Sequence, residues 1–182
     1  MNVAKVLVLL LAATGLGQVC AQTALDTAHY TDAGELVYPG NLDEWIVMGA
    51  SLGSEYGDQP FDPAAPGSIG MVQMEPQAYR YFLENREYAD GTMFLLSFFA
   101  AQGQSQPQLP GFVQGEMTAQ EIHVIDRARF TEGRGFFVFR NPQQASAARL
   151  PDGNDCVVCH MEHGAFDGTF TQFYPTIRDH LP

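Results

Sequence analysis

The chain has 182 residues, of which 46% are hydrophobic and 16% charged, and its mean hydropathy is −0.11. This length suits one domain with its own core, and these fractions exclude a disordered chain. Acidic residues outnumber basic ones by 21 to 9, so the formal net charge is −12. Such a charge argues against nucleic acid and anionic lipid as partners and favours a basic protein partner.

The first 21 residues are typical of a secretory signal peptide. Lys5 precedes an apolar run from Val6 to Ala13, and Val19–Ala21 provide the small residues of a cleavage site. We predict cleavage after Ala21. This leaves residues 22–182 as a single exported, periplasmic domain that does not insert into a membrane.

Two other interpretations of this leader are weaker. An uncleaved membrane anchor needs a longer apolar run than this one. A lipoprotein anchored at Cys20 needs small residues before that cysteine, where Gln18 and Val19 stand. Cleavage also removes Lys5, the only lysine, so the mature chain has eight arginines against 21 acids, a formal charge of −13.

The apolar pattern predicts strands around one helix in the first half of the mature chain. Pro76 suits a first helical turn, and Tyr79, Phe82 and Leu83 follow at helical spacing. In chain order, we predict a strand at Glu44–Leu52, a loop at Pro60–Gly70, an extended segment at Met71–Met74, a helix from Pro76 to about Tyr88 and a strand at Thr92–Ala101.

The second half is predicted to form a loop, a hairpin and a C-terminal helix. Gln102–Gly115 is rich in Gln, Pro and Gly and is expected to be a loop. Glu121–Phe130 alternates like a half-buried strand, and Gly135–Arg140 is its returning partner after a turn at Thr131–Arg134. A helix is expected from Asp155 onward. Strands in the middle flanked by helices favour an α+β fold with a mainly antiparallel sheet.

The sequence Cys156-Val-Val-Cys159-His160 predicts the chemistry, because it is the attachment motif of haem c. Two thiols three positions apart on a helical turn lie on one face and can add to the two vinyl groups of one porphyrin. His160 then becomes an axial ligand of the iron. Covalent attachment takes place outside the cytoplasm, in agreement with the predicted leader.

Three other interpretations of the motif are weaker. A disulfide between residues three apart is strained and closes almost no loop. A thioredoxin-like motif belongs at the head of a helix in a βαβ unit, which is not predicted here. A zinc site would combine the motif with His163, but the adjacent side chains of Cys159 and His160 would diverge.

The sixth iron position separates two classes of cytochrome. An electron carrier fills it with Met or His, whereas a ligand-binding haem leaves it open. Met161 and His163 are too close to His160 to reach the other haem face. No helix with a Met ligand is evident, so we expect an open distal face. The candidates for a sixth ligand that remain are Met71, Met74, Met93, Met117, His29, His123 and His180.

The haem motif and the following Phe170-Thr-Gln-Phe-Tyr-Pro175 resemble the cytochrome P-460 family. The upstream order is also similar: a strand with Trp45, a helix at Pro76, a strand after Gly91-Thr92, and the hairpin. The resemblance implies a compact antiparallel sheet on helices, often as a homodimer, with one five-coordinate haem c. Members oxidise hydroxylamine and nitric oxide, and the related cytochromes c′-β bind gases. It therefore implies a small gaseous or nitrogen-oxide ligand and a redox partner.

One departure from the family is a missing lysine. Its enzymes carry a lysine bonded to the porphyrin, at the position that Leu96 takes here. The cross-link cannot form in the mature chain, which disfavours classical hydroxylamine oxidation and favours gas binding. If the face of Leu96 covers the haem, as the resemblance suggests, Phe94, Leu96 and Phe98 form an apolar lid over the distal pocket. The alternative is that these three residues are ordinary core.

Asp126 interrupts a face that is otherwise apolar. An unpaired carboxylate there is costly, so it needs a partner or a function. Two roles are open: a distal catalytic acid that transfers protons to a bound ligand, and a buried ion pair with Arg140 beside the distal pocket. His163, Arg80 and Arg134 are candidates for contacts with the haem propionates.

Overall fold

The computed structural model describes residue 25 and residues 27–54, 60–105, 110–141 and 143–182. The predicted signal peptide lies outside the described residues. In chain order the elements are β1 (Leu36–Val37), β2 (Ile46–Leu52), β3 (Ser68–Met74), α1 (Pro76–Asn85), β4 (Thr92–Gln104), β5 (Gly111–Ile125), β6 (Arg134–Phe139), β7 (Ser146–Ala147) and α2 (Asp155–His163). Short 3₁₀ helices lie at Leu42–Glu44, Thr171–Phe173 and Arg178–His180.

The strands form two antiparallel sheets. The large sheet has five strands in the order β2-β3-β4-β5-β6, and β1 pairs with β7 in a small one. The predicted α+β class with a mainly antiparallel sheet is therefore confirmed. Within the described ranges, no helix is long and apolar enough to cross a membrane.

Helix α1 begins as predicted and ends earlier. Pro76 occupies the first turn, and the Glu75 carboxylate caps the helix by accepting a hydrogen bond from the Ala78 N–H at 2.8 Å. Arg86 then adopts a left-handed conformation with a φ of 61°, which ends the helix after Asn85. The extension to Tyr88 was wrong, because Tyr88 instead stacks on Phe82 inside the core at 5.0 Å between ring centroids.

The β4–β5 hairpin is longer than predicted. The loop expected at Gln102–Gly115 is wrong at both ends, because β4 continues to Gln104 and β5 begins at Gly111. Gly103 pairs with Phe112 in this extension. Most of these residues are exposed, so their polar composition reflects solvent contact rather than a loss of strand hydrogen bonds. Strand β3 similarly begins at Ser68, inside the loop expected at Pro60–Gly70.

Strand β5 ends at Ile125, so the prediction of a strand through Phe130 was wrong. The Phe130 N–H donates to the Asp126 carbonyl at 3.0 Å, and the Arg129 N–H donates to Asp126 Oδ1 at 2.9 Å. These bonds close a turn, as aspartate commonly does. The returning strand was predicted correctly and lies at Arg134–Phe139.

The two faces of the β4–β6 region have different coverings. One face carries Leu95, Ile122 and Phe137, which are paired across the three strands and belong to a buried cluster with Leu36 and Trp45. The opposite face is covered at one end by α1. Near α2 that opposite face borders a cavity.

Candidate functional site

Helix α2 brings the three motif residues together, as the sequence predicted. The Asn154 side chain caps its start by accepting from the Cys156 N–H at 3.0 Å. Cys156, Cys159 and His160 are three and four positions apart, so they share one side of the helix. Both thiols are free, with Cys156 half-buried and Cys159 exposed. Burial is the main cause that raises the pKa of the Cys156 thiol.

A cavity lies between this side of α2 and the large sheet. Cys156, Cys159 and His160 line it from the helix. From the sheet, the residues that line it include Phe94, Leu96, Glu121, His123, Phe136 and Val138. A second cavity adjoins it toward β2 and shares the lining residues Val72, Leu96, Phe170 and Tyr174. The two together form a mostly apolar cleft that begins at the two thiols.

His160 is oriented by a backbone hydrogen bond. Its Nδ1 lies 2.8 Å from the carbonyl oxygen of Gly168, and since a carbonyl only accepts, Nδ1 carries the proton. Nε2 is then the nitrogen with a free lone pair, which is the arrangement that a metal-ligating imidazole requires. Burial lowers the pKa of His160; the Gly168 hydrogen bond opposes this, and the charge of Arg134 adds to it.

His123 is a second imidazole in the same cavity. Its side chain is 5% exposed and stacks on Phe136, with ring centroids 4.2 Å apart. The ring centroid of His160 lies 5.5 Å away at an interplanar angle of 75°. His123 Nε2 is buried and has no hydrogen-bond partner among the described residues. Burial, the largest cause, holds the pKa of His123 well below its usual range.

The remaining candidates for a sixth ligand lie elsewhere. Met74 and Met93 are buried in the two core clusters, and the sulfur of Met71 accepts from Gln114 Nε2 at 3.7 Å. Among the seven side chains considered, His123 alone lines the cavity beside His160. The sequence named His123 as one of seven candidates. It could not single out His123, because the pairing of the strands does not follow from the sequence.

Two of the three residues predicted to form an apolar lid border the cavity. Phe94 and Leu96 line the cavity, whereas Phe98 is one strand position further along the same face and lines neither cavity. His123 and Phe136 complete this part of the wall, because Phe94, His123 and Phe136 are paired across β4, β5 and β6. The wall is therefore less uniformly apolar than expected.

The structure places Asp126 and Arg140 away from the cavity. Asp126 lies in the turn after β5, where its carboxylate accepts from the Arg129 N–H. Arg140 is exposed after the end of β6, and its backbone N–H donates to the Gln144 side chain at 3.0 Å. Neither residue lines the cleft, and the two are not paired with each other in the described part of the chain. Instead, the acidic side chain in the cavity wall is Glu121, which sequence reasoning missed.

The other candidates fall into two groups. His163 has an exposed side chain 3.8 Å from Glu162, and Arg80 is exposed on α1. Arg134, in contrast, is mostly buried and lies beside Asp167 and Gly168. The zinc alternative has no support in the part of the chain that the structure describes, where no three His, Cys, Asp or Glu side chains are close enough to hold a metal ion.

Sequence reasoning also missed several aromatic residues of the wall. Phe170 contacts His160 edge-on, with ring centroids 4.6 Å apart, and Phe136 lies 4.8 Å from it. Tyr174 lines both cavities. Phe170 and Tyr174 belong to the Phe-Thr-Gln-Phe-Tyr-Pro segment, which was recognised as distinctive but not as part of the wall.

Comparison with known proteins identifies a family for this chain. The model of the family Cytochrome P460 matches residues 39–171, which include the large sheet, α1, α2 and all three residues of the haem motif. No curated protein matches the chain. A match over most of the sequence shows that the chain belongs to the cytochrome P460 family, a family of haem cytochromes.

Proposed function

We propose that this chain carries one haem c, attached through Cys156 and Cys159 and ligated by His160, and that it binds small nitrogen oxides at an open distal site. The observation that supports this most is the shared cavity. It joins both thiols, and an imidazole whose Nδ1 is already hydrogen-bonded, to a mostly apolar sheet face. An apolar wall suits diatomic, weakly polar ligands such as nitric oxide and offers little to a charged substrate.

The roles of the residues follow from their positions. His160 holds the iron, and the Gly168 carbonyl fixes the tautomer and the plane of its ring. Phe94 and Leu96 exclude water from the cleft. The haem iron, when bound, supplies the site for the gas and a one-electron couple. Oxidation of hydroxylamine by the cross-linked route is not part of this proposal, because Leu96 stands where the resemblance places the lysine.

The test is an ultraviolet–visible spectrum of the exported protein, ferric and ferrous, before and after addition of nitric oxide. We expect covalent haem, a high-spin five-coordinate ferric spectrum and nitric oxide binding by the reduced protein. The variant Cys156→Ala/Cys159→Ala should lose haem that resists denaturation, while Cys20→Ala, changed in the leader, should keep it. Absence of covalent haem in the parent would contradict the proposal.

A second candidate function is an electron carrier with a protein sixth ligand. The unpartnered Nε2 of His123 favours it, since His123 lines the same cavity as His160. His123 would then hold the iron together with His160, and the ring centroids of the two imidazoles lie 5.5 Å apart. A low-spin ferric spectrum that becomes high-spin in His123→Phe would establish the electron carrier and overturn the open site.

The setting of this chemistry is proposed from the sequence. Export to the periplasm follows from the leader, and the formal charge of −13 on the mature chain suits a basic redox partner. Measuring the rate of electron exchange with a small basic redox protein at increasing salt would test the second point. A rate that does not fall with salt would contradict electrostatic attraction.

A further inference from the structure

The carbonyl that orients His160 belongs to a two-residue turn. Asp167 and Gly168 both have positive φ values, 50° and 68°, and Phe166 pairs with Thr169 across them. These values are typical of a type I′ turn, for which Asp-Gly is a preferred sequence, and contacts with the rest of the protein fix the position of the turn beside α2. The direction of the Gly168 carbonyl, and hence of the His160 ring, depends on those contacts.

Arg127, which follows β5, and Arg134, the first residue of β6, hold the turn through one carboxylate. Arg127 Nη2 contacts Asp167 Oδ2 at 2.6 Å, and Arg134 Nη2 lies 3.7 Å from Asp167 Oδ1. Arg127 is itself fixed, because its Nη1 donates to the Tyr88 carbonyl at 3.0 Å and lies 3.3 Å from Asp90. The network links the large sheet to the segment after α2.

Arg134 also packs directly on the glycine. A Cβ added to Gly168 would collide with Arg134 Nη1, so the guanidinium occupies the space beside this residue. The Arg134 side chain is 16% exposed, so its charge is only partly screened by water. The guanidinium lies beside the residue whose carbonyl oxygen is 2.8 Å from His160 Nδ1.

We propose that Arg134, held by Asp167 against Gly168, is a positioning residue for the haem: it fixes the His160–Gly168 hydrogen bond, and its charge favours ferrous over ferric iron. This inference rests on the proposed attachment of haem c to this chain. A positive charge near the iron stabilises the state with one electron more. The half-reaction is the uptake of one electron by ferric iron from an electrode, with no other reactant.

The experiment compares Arg134→Gln and Arg134→Lys with the parent holoprotein in a redox titration. Arg134→Gln should lower the midpoint potential by the equivalent of about a tenfold change in the ferric–ferrous equilibrium, about 59 mV for one electron. Arg134→Lys keeps the charge and should shift the potential less. The control Arg178→Gln removes the same charge from an exposed residue paired with Asp179, and should leave the potential near that of the parent.

A second readout separates positioning from general damage. The iron–histidine stretching band of the ferrous protein should shift in Arg134→Gln and in Asp167→Asn, because both variants weaken the Arg134–Asp167 contact beside the Gly168 carbonyl. Asp167→Asn also tests the positioning role of Arg134 if Arg134→Gln does not fold. Unchanged potential and an unchanged band in haem-loaded variants would overturn this inference alone. A parent protein without covalent haem would overturn the proposed function and this inference with it.

Discussion

The two faces of strands β4–β6 are made by alternate residues of the same segments, yet they have opposite properties. On one face Leu95, Ile122 and Phe137 are at most 1% exposed and pack with other apolar side chains in a closed cluster. On the other face the neighbouring residues border a cavity, and one of them is His123, whose Nε2 is buried without a partner. We call these the sealed face and the cavity face.

The contrast indicates that the two faces of this sheet have different roles. The sealed face stabilises the fold by removing apolar surface from water. The cavity face gives up such contacts, and a buried polar atom without a hydrogen bond costs about 1–3 kcal/mol. Such a cost is expected at a functional site, where a bound cofactor supplies the contacts that the protein chain lacks.

The largest effect is expected from truncation on the sealed face. Phe137→Ala should lower the free energy of unfolding by about 3–5 kcal/mol, because the side chain is fully buried in a close-packed cluster. Urea denaturation in the Cys156→Ala/Cys159→Ala background, which has no attached haem, measures this effect. The matched control is Phe136→Ala on the cavity face. It should cost less, because Phe136 is 7% exposed whereas Phe137 is fully buried. Equal losses at both positions would contradict the distinction between the faces.

Much of the fold was predictable because local signals carried it. The Pro76 helix and the Thr92 strand begin where turn residues and apolar periodicity placed them, and the strand Arg134–Phe139 lies within one residue of its predicted bounds. The exposed end of the β4–β5 hairpin was not predictable in this way. Its strands are defined by hydrogen bonds between polar segments, and composition does not report those bonds.

The site was predictable at the helix and less so at the sheet. The spacing of Cys156, Cys159 and His160 fixes their relative positions within one helix, whatever the rest of the chain does. The wall depends on register. Phe94, His123 and Phe136 come from three strands, and they meet only because Phe94 pairs with His123 and His123 with Phe136. The alternation of β5 placed Glu121 and His123 on one face of the strand. The sequence could show that shared face, but only the pairing of the strands shows that the face borders a cavity.

A smaller effect of opposite sign is expected on the cavity face. His123→Phe should raise the free energy of unfolding of the haem-free protein by about 1–2 kcal/mol, because it removes a buried nitrogen without a hydrogen-bond partner. The cavity beside the ring leaves room for the larger side chain. Urea denaturation in the same haem-free background measures it.

The control for this prediction is Ile122→Val on the sealed face. It should lower the stability by about 0.5–1.5 kcal/mol, as removal of a buried methylene group does. A loss of stability in His123→Phe would mean that Nε2 has a hydrogen-bond partner in solution. The two faces would then differ in packing and not in the satisfaction of buried polar atoms.

The smallest effect is expected at Asp126, just beyond the point where the two faces end. Its carboxylate accepts from the Arg129 N–H, so Asp126→Ala should cost about 1 kcal/mol through the turn. Asp126→Asn keeps an acceptor oxygen and should recover most of that loss. Because Asp126 does not line the cavity, nitric oxide binding to the reduced holoprotein should keep its rate and pH dependence in both variants. A changed pH dependence would restore Asp126 as a distal acid and move the boundary of the cavity face beyond Ile125.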